Sequence, residues 1–119
     1  MTPEHADATN GYLQTIGRVS GQPHEIEIWF AVDRGVAYLL SGSGGNSDWC
    51  RNLDANAAAE FTIDDTAYPV LGRRVDDPDE AARARRAVFD KYSERYGGDL
   101  VEWRDTSAPF ALDSIKASR

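Results

Sequence analysis

Two turns in this chain carry the residue types that hold anions. The first is Gly17-Arg18-Val19-Ser20-Gly21. Arginine offers several N–H donors in a fixed fork that suits phosphate or carboxylate oxygens. Ser20 adds a hydroxyl, and the flanking Gly17 and Gly21 let a backbone approach closely. The second is Ser41-Gly42-Ser43-Gly44-Gly45-Asn46-Ser47, with a capped helix following at once. Consecutive N–H groups in such a loop form a concave anion nest, and a helix N-terminus behind it adds open donors. The loop lacks the Gly-Lys-Ser/Thr of a nucleotide P-loop and the third glycine of a dinucleotide fingerprint. The bland alternatives are a solvated hairpin arginine and a flexible linker.

The other reactive side chains are scattered. His5 falls in the polar N-terminal stretch and His24 in a strand, and neither has metal-ligand spacing to Cys50 or to a carboxylate cluster, so no metal site is expected. Cys50, beside Trp49 on a helix face, reads as a small core residue rather than a nucleophile paired with His24. Asp64-Asp65 and Asp76-Asp77 read as turn and cap carboxylates. Trp29, Tyr68 and Trp103 are aromatic candidates for a pocket wall or for the core.

Short strands must position these turns. Gly11–Gly17 reads as a strand, and His24–Val32 as another, with His24, Ile26 and Ile28 on one side and Glu25 and Glu27 on the other. Asp33-Arg34-Gly35 is a tight hairpin turn leading to the return strand Val36–Ser41. Ser47 starts a short helix that Asn56 can end in a left-handed conformation. Ala58–Ile63 and Tyr68–Val75 read as strands joined by Asp64-Asp65, with Gly72 marking a bulge or bend. Asp77-Pro78-Asp79-Glu80 opens a longer helix running to Tyr96, stopped by Gly97-Gly98, with Ala81, Ala84, Val88 and Tyr92 on its packed face. Ala108–Lys116 reads as a last strand at an edge. The fold class is therefore mainly β (α+β), a barrel of about six antiparallel strands with two helices.

At 119 residues the chain suits one domain. We expect a flexible arm over residues 1–10 and a single domain over 11–119. With 41% apolar and 28% charged residues the composition is that of an ordinary globular protein. No apolar run reaches the ~18 residues of a membrane helix. The N-terminus does not read as a secretory signal. The lone Cys50 fits a reducing, cytoplasmic setting. A net charge of −7 argues against nucleic acid as a partner. Residues 1–72 carry three basic side chains (Arg18, Arg34, Arg51) against ten acidic ones. Cations are thus scarce there, and two of the three lie in or beside the glycine-rich turns.

Thr15-Ile16-Gly17-Arg18-Val19-Ser20-Gly21, followed by HEIEIWF, resembles the first signature of the deazaflavin-dependent nitroreductase family. The stretch YLLSGSGGNSDWCRNLDANA, Tyr38 to Ala57, resembles the second. The likeness covers about residues 12–64 and is weaker to residue 115. It implies a split β-barrel related to pyridoxamine phosphate oxidases, with coenzyme F420 as cofactor. It implies that Arg18, Ser20 and the Ser43-Gly44-Gly45 loop hold the cofactor phosphate. The backbone of Glu25, Ile26, Glu27 and Ile28 would run beside the ring, and Trp49 would support the loop from below. Family members usually carry a basic residue where Val19 stands, and deazaflavin users often have lysine where Ser43 stands. Arg51, Arg73 or Arg74 would have to compensate, or FMN or FAD would replace the deazaflavin.

The expected activity is hydride transfer to a small electron-poor acceptor: a quinone, an activated alkene or a nitroaromatic. Tyr68 is the nominee for the proton donor. The competing readings are a non-catalytic carrier barrel for a flavin, haem-derived or lipid-like ligand, and a structural domain with an empty pocket. Split barrels of this class often form homodimers sharing a pocket, which leaves dimerisation open here.

Overall fold

The computed structural model of the protein describes residues 8–42, 45–93 and 100–114. Among these residues seven strands run β1 (Gly11–Ile16), β2 (Pro23–Ile28), β3 (Ala31–Asp33), β4 (Val36–Ser41), β5 (Ala58–Ile63), β6 (Thr66–Arg74) and β7 (Ala108–Ser114). Three helices accompany them: α1 (Asp48–Ala55), α2 (Pro78–Ser93) and α3 (Val101–Thr106). All strands belong to one sheet, antiparallel throughout, in the order β2-β1-β5-β6-β7-β4-β3.

That order dictates a curl. The opposite edges β2 and β3 are joined by Trp29 and Phe30 alone. Three Cα steps reach at most about 11 Å, so the two edges must come together. The sheet wraps into a split barrel around Leu13, Phe30, Leu39, Phe61, Ile63, Val70, Phe110 and Leu112. The expected single strand His24–Val32 is thus two strands. Its side-chain alternation runs unbroken through the corner: Ile28, Phe30 and Val32 pack inward, while Trp29 and Ala31 pack outward. What changes at the corner is the partner, from β1 to β4, and side-chain period carries no record of that.

β4 is apolar on both faces for a reason. Ala37 and Leu39 point into the barrel, whereas Tyr38 and Leu40 meet α2. The buried stripe of α2 is Ala81, Ala84, Val88 and Tyr92, as the spacing predicts. Its start is capped as expected: Asp77 Oδ2 accepts the Glu80 N–H at 2.9 Å, with Pro78 as the first helical residue. Arg73 on β6 grips Glu80 with two bonds of 2.8 Å and Asp113 on β7 with bonds of 2.7 and 3.3 Å. The Arg73 guanidinium, aided by the Tyr38 hydroxyl, holds the Glu80 carboxyl down at about 2.

Both two-residue hairpin turns are present, with positive φ at Arg34, Gly35, Asp64 and Asp65. Four expectations need correction. Gly72 marks no bulge: the β6–β7 register runs unbroken through it, and a Cβ there would stand 2.7 Å from Leu53 Cδ2. The glycine makes room for α1. Asn56 ends α1 in an extended conformation (φ −148°), not a left-handed one. β7 lies inside the sheet, between β6 and β4. Its Pro109 is tolerated because it stands at the end of the β6 ladder, where its carbonyl accepts the Val75 N–H. Finally, α3 has no apolar periodicity and was not expected; Trp103 secures it edge-on against Trp29, at 5.7 Å. The arm's first residues, Ser43, Gly44, Tyr96, Gly97-Gly98 and Lys116 lie outside the described residues.

Candidate functional site

The β1–β2 turn is tightly built. The Gly17 N–H donates to the Gln22 carbonyl at 2.8 Å, and the Gly21 N–H donates back to the Gly17 carbonyl at 2.9 Å. Gly21 needs its positive φ of 72° to close this loop. Ser20 Oγ accepts the Gln22 N–H at 3.2 Å and lies 3.3 Å from His24 Nε2. Both side chains fold back over Gly17, where a Cβ would stand 2.6 Å from Ser20 Oγ and 2.8 Å from His24 Nε2.

α1 braces the turn through Asn52, which is buried (3% exposed). Its Oδ1 accepts from the Arg18 backbone N–H at 3.1 Å and from the Arg18 guanidinium at 2.9 Å. Its Nδ2 donates to Thr15 Oγ1 at 3.1 Å. A second guanidinium N–H reaches Asp48 at 3.2 Å. One side chain thus ties a helix, a strand and a turn together and aims the arginine. Asn52 was missed as a site residue, since a polar residue in a short helix gives no signal until its partners are placed. Its place within the second signature, Tyr38 to Ala57, was the nearest hint.

Between the turn, β2 and α1 lies a cleft of about 440 Å³, lined by Gly17, Arg18, Val19, Ser20, His24, Glu25, Ile26, Asp48 and Asn52. Arg18, Ser20, Glu25 and Ile26, expected at the site, therefore meet in one place. Gly21 closes the turn beside it. Further along β2, Glu27 accepts hydrogen bonds from Asn10 and Tyr12, both at 3.1 Å, and Ile28 packs on the core. Ser41 is buried, and its Oγ accepts the Gly45 N–H at 3.3 Å. The Gly45 carbonyl in turn accepts from Arg74 at 2.8 Å. Trp49 does not line the cleft. It meets Phe110 at 4.9 Å and anchors α1, and so the end of the loop, on the barrel core.

Tyr68 also stands away from this cleft. It is the far member of a cross-sheet row, Ile26–Leu13–Phe61–Tyr68, in which each residue faces the next in register. The expected compensating arginines are committed elsewhere. Arg73 holds Glu80 and Asp113, and Arg74 holds Asp54 at 2.7 Å while lying over the Phe110 ring. Arg51 is exposed on α1. Cys50 is fully buried, and burial pushes its thiol up, away from the reactive thiolate.

The donor set suits an anion. Arg18 has five N–H donors on its guanidinium and uses two of them among the described residues. Ser20 and His24 lie beside it, and the bare Gly17 beneath leaves the space a Cβ would fill. No helix of the described residues is long and apolar enough to cross a membrane.

No curated protein matches the chain. Among solved structures, the fold is shared with an F420-H2 dependent reductase, FDR-A, at 15% identity and a TM-score of 0.71, covering 88% of this chain and 94% of that one. It is shared with a conserved hypothetical protein from Mycobacterium tuberculosis at 22% identity and 0.72, covering 100% and 82%. A third, described as a domain-swapped dimer, aligns at 16% identity and 0.71, covering 88% and 80%. Residues 6–109 match the family described as F420H(2)-dependent quinone reductase. That match spans the turn, the cleft and nearly all of the sheet, and the chain belongs to the F420H(2)-dependent quinone reductase family.

Proposed function

We propose that the cleft between the β1–β2 turn and α1 holds the phosphate-bearing end of coenzyme F420. The family's activity is F420H2-dependent reduction, with hydride passed to an electron-poor, quinone-type acceptor. The observation that carries the site assignment is the convergence of Arg18, Ser20 and His24 on one cleft, with Asn52 fixing the arginine. Ser41, Ser43, Gly44 and Gly45 would complete the cradle from the loop before α1, with Trp49 anchoring it.

When bound, the reduced deazaflavin supplies the hydride. The chain's own residues bind and orient. Arg18 and Ser20 grip oxygens, Asn52 keeps the guanidinium aimed, and the backbone of Glu25–Ile28 offers ring contacts. β2 supports that last role because it is an edge strand, with backbone donors and acceptors on one side that no strand among the described residues satisfies. The reduced acceptor also needs a proton, and Tyr68 Oη, at the end of the Ile26–Leu13–Phe61 row, is the proposed donor. Tyr68→Phe should lower turnover severalfold and leave cofactor affinity unchanged; full turnover removes Tyr68 from the mechanism.

Residues 11–119 act as one cofactor-binding domain in this reading. The buried, unpaired Cys50 fits a reducing cytoplasm. A homodimer is supported by the domain-swapped relative of the same fold.

Parallel titrations with coenzyme F420, FMN and FAD test the assignment. F420 should bind in preference, and Arg18→Ala should weaken it by about tenfold, the loss of one charge-assisted hydrogen bond. Preference for FMN or FAD keeps the cleft and changes its occupant. No binding of any of the three sinks the reading in favour of a carrier or partner-binding barrel.

A further inference from the structure

The charge balance of the cleft is odd for a phosphate site. Among the described residues, Arg18 is the only permanently cationic side chain lining it, against the carboxylates of Glu25 and Asp48. Val19 is 93% exposed at the rim and brings no charge. Arg73 is bound to Glu80 on α2 and Arg74 to Asp54 on α1, and neither arginine lines the cleft.

One further lining group can become a cation. His24 opens β2 opposite Thr15, and its Nε2 lies 3.3 Å from Ser20 Oγ. Ser20 Oγ already accepts the Gln22 N–H. A neutral imidazole with a bare Nε2 takes the Ser20 O–H as its hydrogen bond. A protonated imidazole donates from Nε2 to Ser20 Oγ, so the Ser20 O–H must turn to another acceptor. One proton therefore brings a positive charge into the cleft and releases a hydroxyl donor there.

We propose that His24 and Ser20 form a proton-gated anion clamp, which takes the place of a fixed cation at position 19 and binds the cofactor's phosphate with uptake of one proton. The inference rests on the assignment of that phosphate to this cleft. No covalent bond changes: water supplies the proton, His24 Nε2 carries it, and the released Ser20 O–H donates to a phosphate oxygen. The charged groups sharing the cleft are Arg18 from the turn, Glu25 on β2 and Asp48 on α1. Thr15, opposite on β1, is uncharged. Imidazole is the side chain whose ordinary pKa, about 6.5, allows such a switch near neutrality.

The chain has two histidines, His5 and His24, so their ring C–H resonances can be followed by NMR between about pH 5 and 8.5, a window centred near the ordinary imidazole pKa. Three samples are compared: no ligand, sulfate, and coenzyme F420. Sulfate is included because its charge is constant over this range. The His24 midpoint should rise with either ligand while that of His5 stays put. Wild-type affinity for F420 should be about tenfold tighter near pH 6 than near pH 8, an average uptake of about half a proton over a range in which free His24 is itself partly protonated at the acid end, and His24→Gln should lose that difference. The wild-type midpoint decides the matter even if His24→Gln folds poorly. F420 binding with an unmoved His24 midpoint overturns the clamp and leaves the cofactor site standing. A midpoint raised by sulfate without F420 binding upholds the clamp and sinks the cofactor assignment. No response to either ligand overturns both.

Discussion

Replacing Asn52 with leucine should cost about 3 kcal/mol of stability and remove most of the affinity for the cofactor. Leucine matches asparagine in shape, so the cost is not that of a cavity. It is the loss of every polar contact the amide makes. Thr15, 1% exposed, would keep a hydroxyl with its Asn52 partner gone, and a buried polar group left unsatisfied costs about 1–3 kcal/mol. The Arg18 backbone N–H and guanidinium would lose their shared acceptor as well. The guanidinium is partly exposed and can rehydrate, which is why the total stays near one or two groups' worth. Affinity suffers separately, because among the described residues Arg18 would keep only the exposed carboxylate of Asp48 to aim it. Asn52→Asp separates the two effects. A carboxylate still accepts from Arg18 and from the Thr15 hydroxyl, so stability should fall less, yet it neutralises the arginine and should weaken anion binding as much as leucine does. Chemical denaturation and F420 titration of both variants check this. Leucine at 52 with unchanged stability would mean that the β1–β2 turn holds its shape without α1.

How much of this was legible beforehand depended on whether a feature is local. The glycines and arginine of the first turn, the two hairpin turns, the Asp77 cap and the stripe Ala81–Ala84–Val88–Tyr92 are set by residues a few positions apart, and the structure has them as the sequence suggests. Features set by distant contacts were hidden. The Trp29-Phe30 corner keeps perfect alternation while the strand changes partner. Pro109 suggested an edge because the sequence does not show where the neighbouring ladder ends. Gly72 looked like a bend, whereas Leu53, 19 positions earlier, explains it. At the site the same division holds. Arg18 and Ser20 were readable from their turn. Asn52, which aims the arginine from 34 positions away, was not. His24 looked like an ordinary strand residue because its neighbour Ser20 reaches it only after the turn closes over Gly17. Arg73 and Arg74 seemed available to an anion until the carboxylates beside them could be placed.

Tyr92→Phe, the removal of one oxygen, should cost about 2–3 kcal/mol, because that oxygen is buried and partnered twice over. Tyr92 is fully buried; its hydroxyl accepts the Phe30 N–H at 2.9 Å and donates to the Thr9 carbonyl at 2.6 Å. Phenylalanine keeps the stack on Trp29, 4.1 Å between centroids, so the variant isolates the polar tie from the packing. The tie matters because Trp29-Phe30 is where the two edges of the sheet meet. Lys91 reinforces it, donating to the Phe30 carbonyl at 2.8 Å while its ammonium sits over the Phe30 ring. α2 thus grips the backbone at the one point where closure of the barrel depends on two residues. Loosening that point frees the end of β2, the strand that carries His24, Glu25 and Ile26 into the cleft. Tyr92→Phe should therefore speed amide exchange at Phe30 and weaken F420 binding, although Tyr92 does not line the cleft. Faster exchange with intact affinity would show that the Asn52 brace alone holds β2 in place. Unchanged exchange would show that Lys91 and the ring stack suffice to close the barrel.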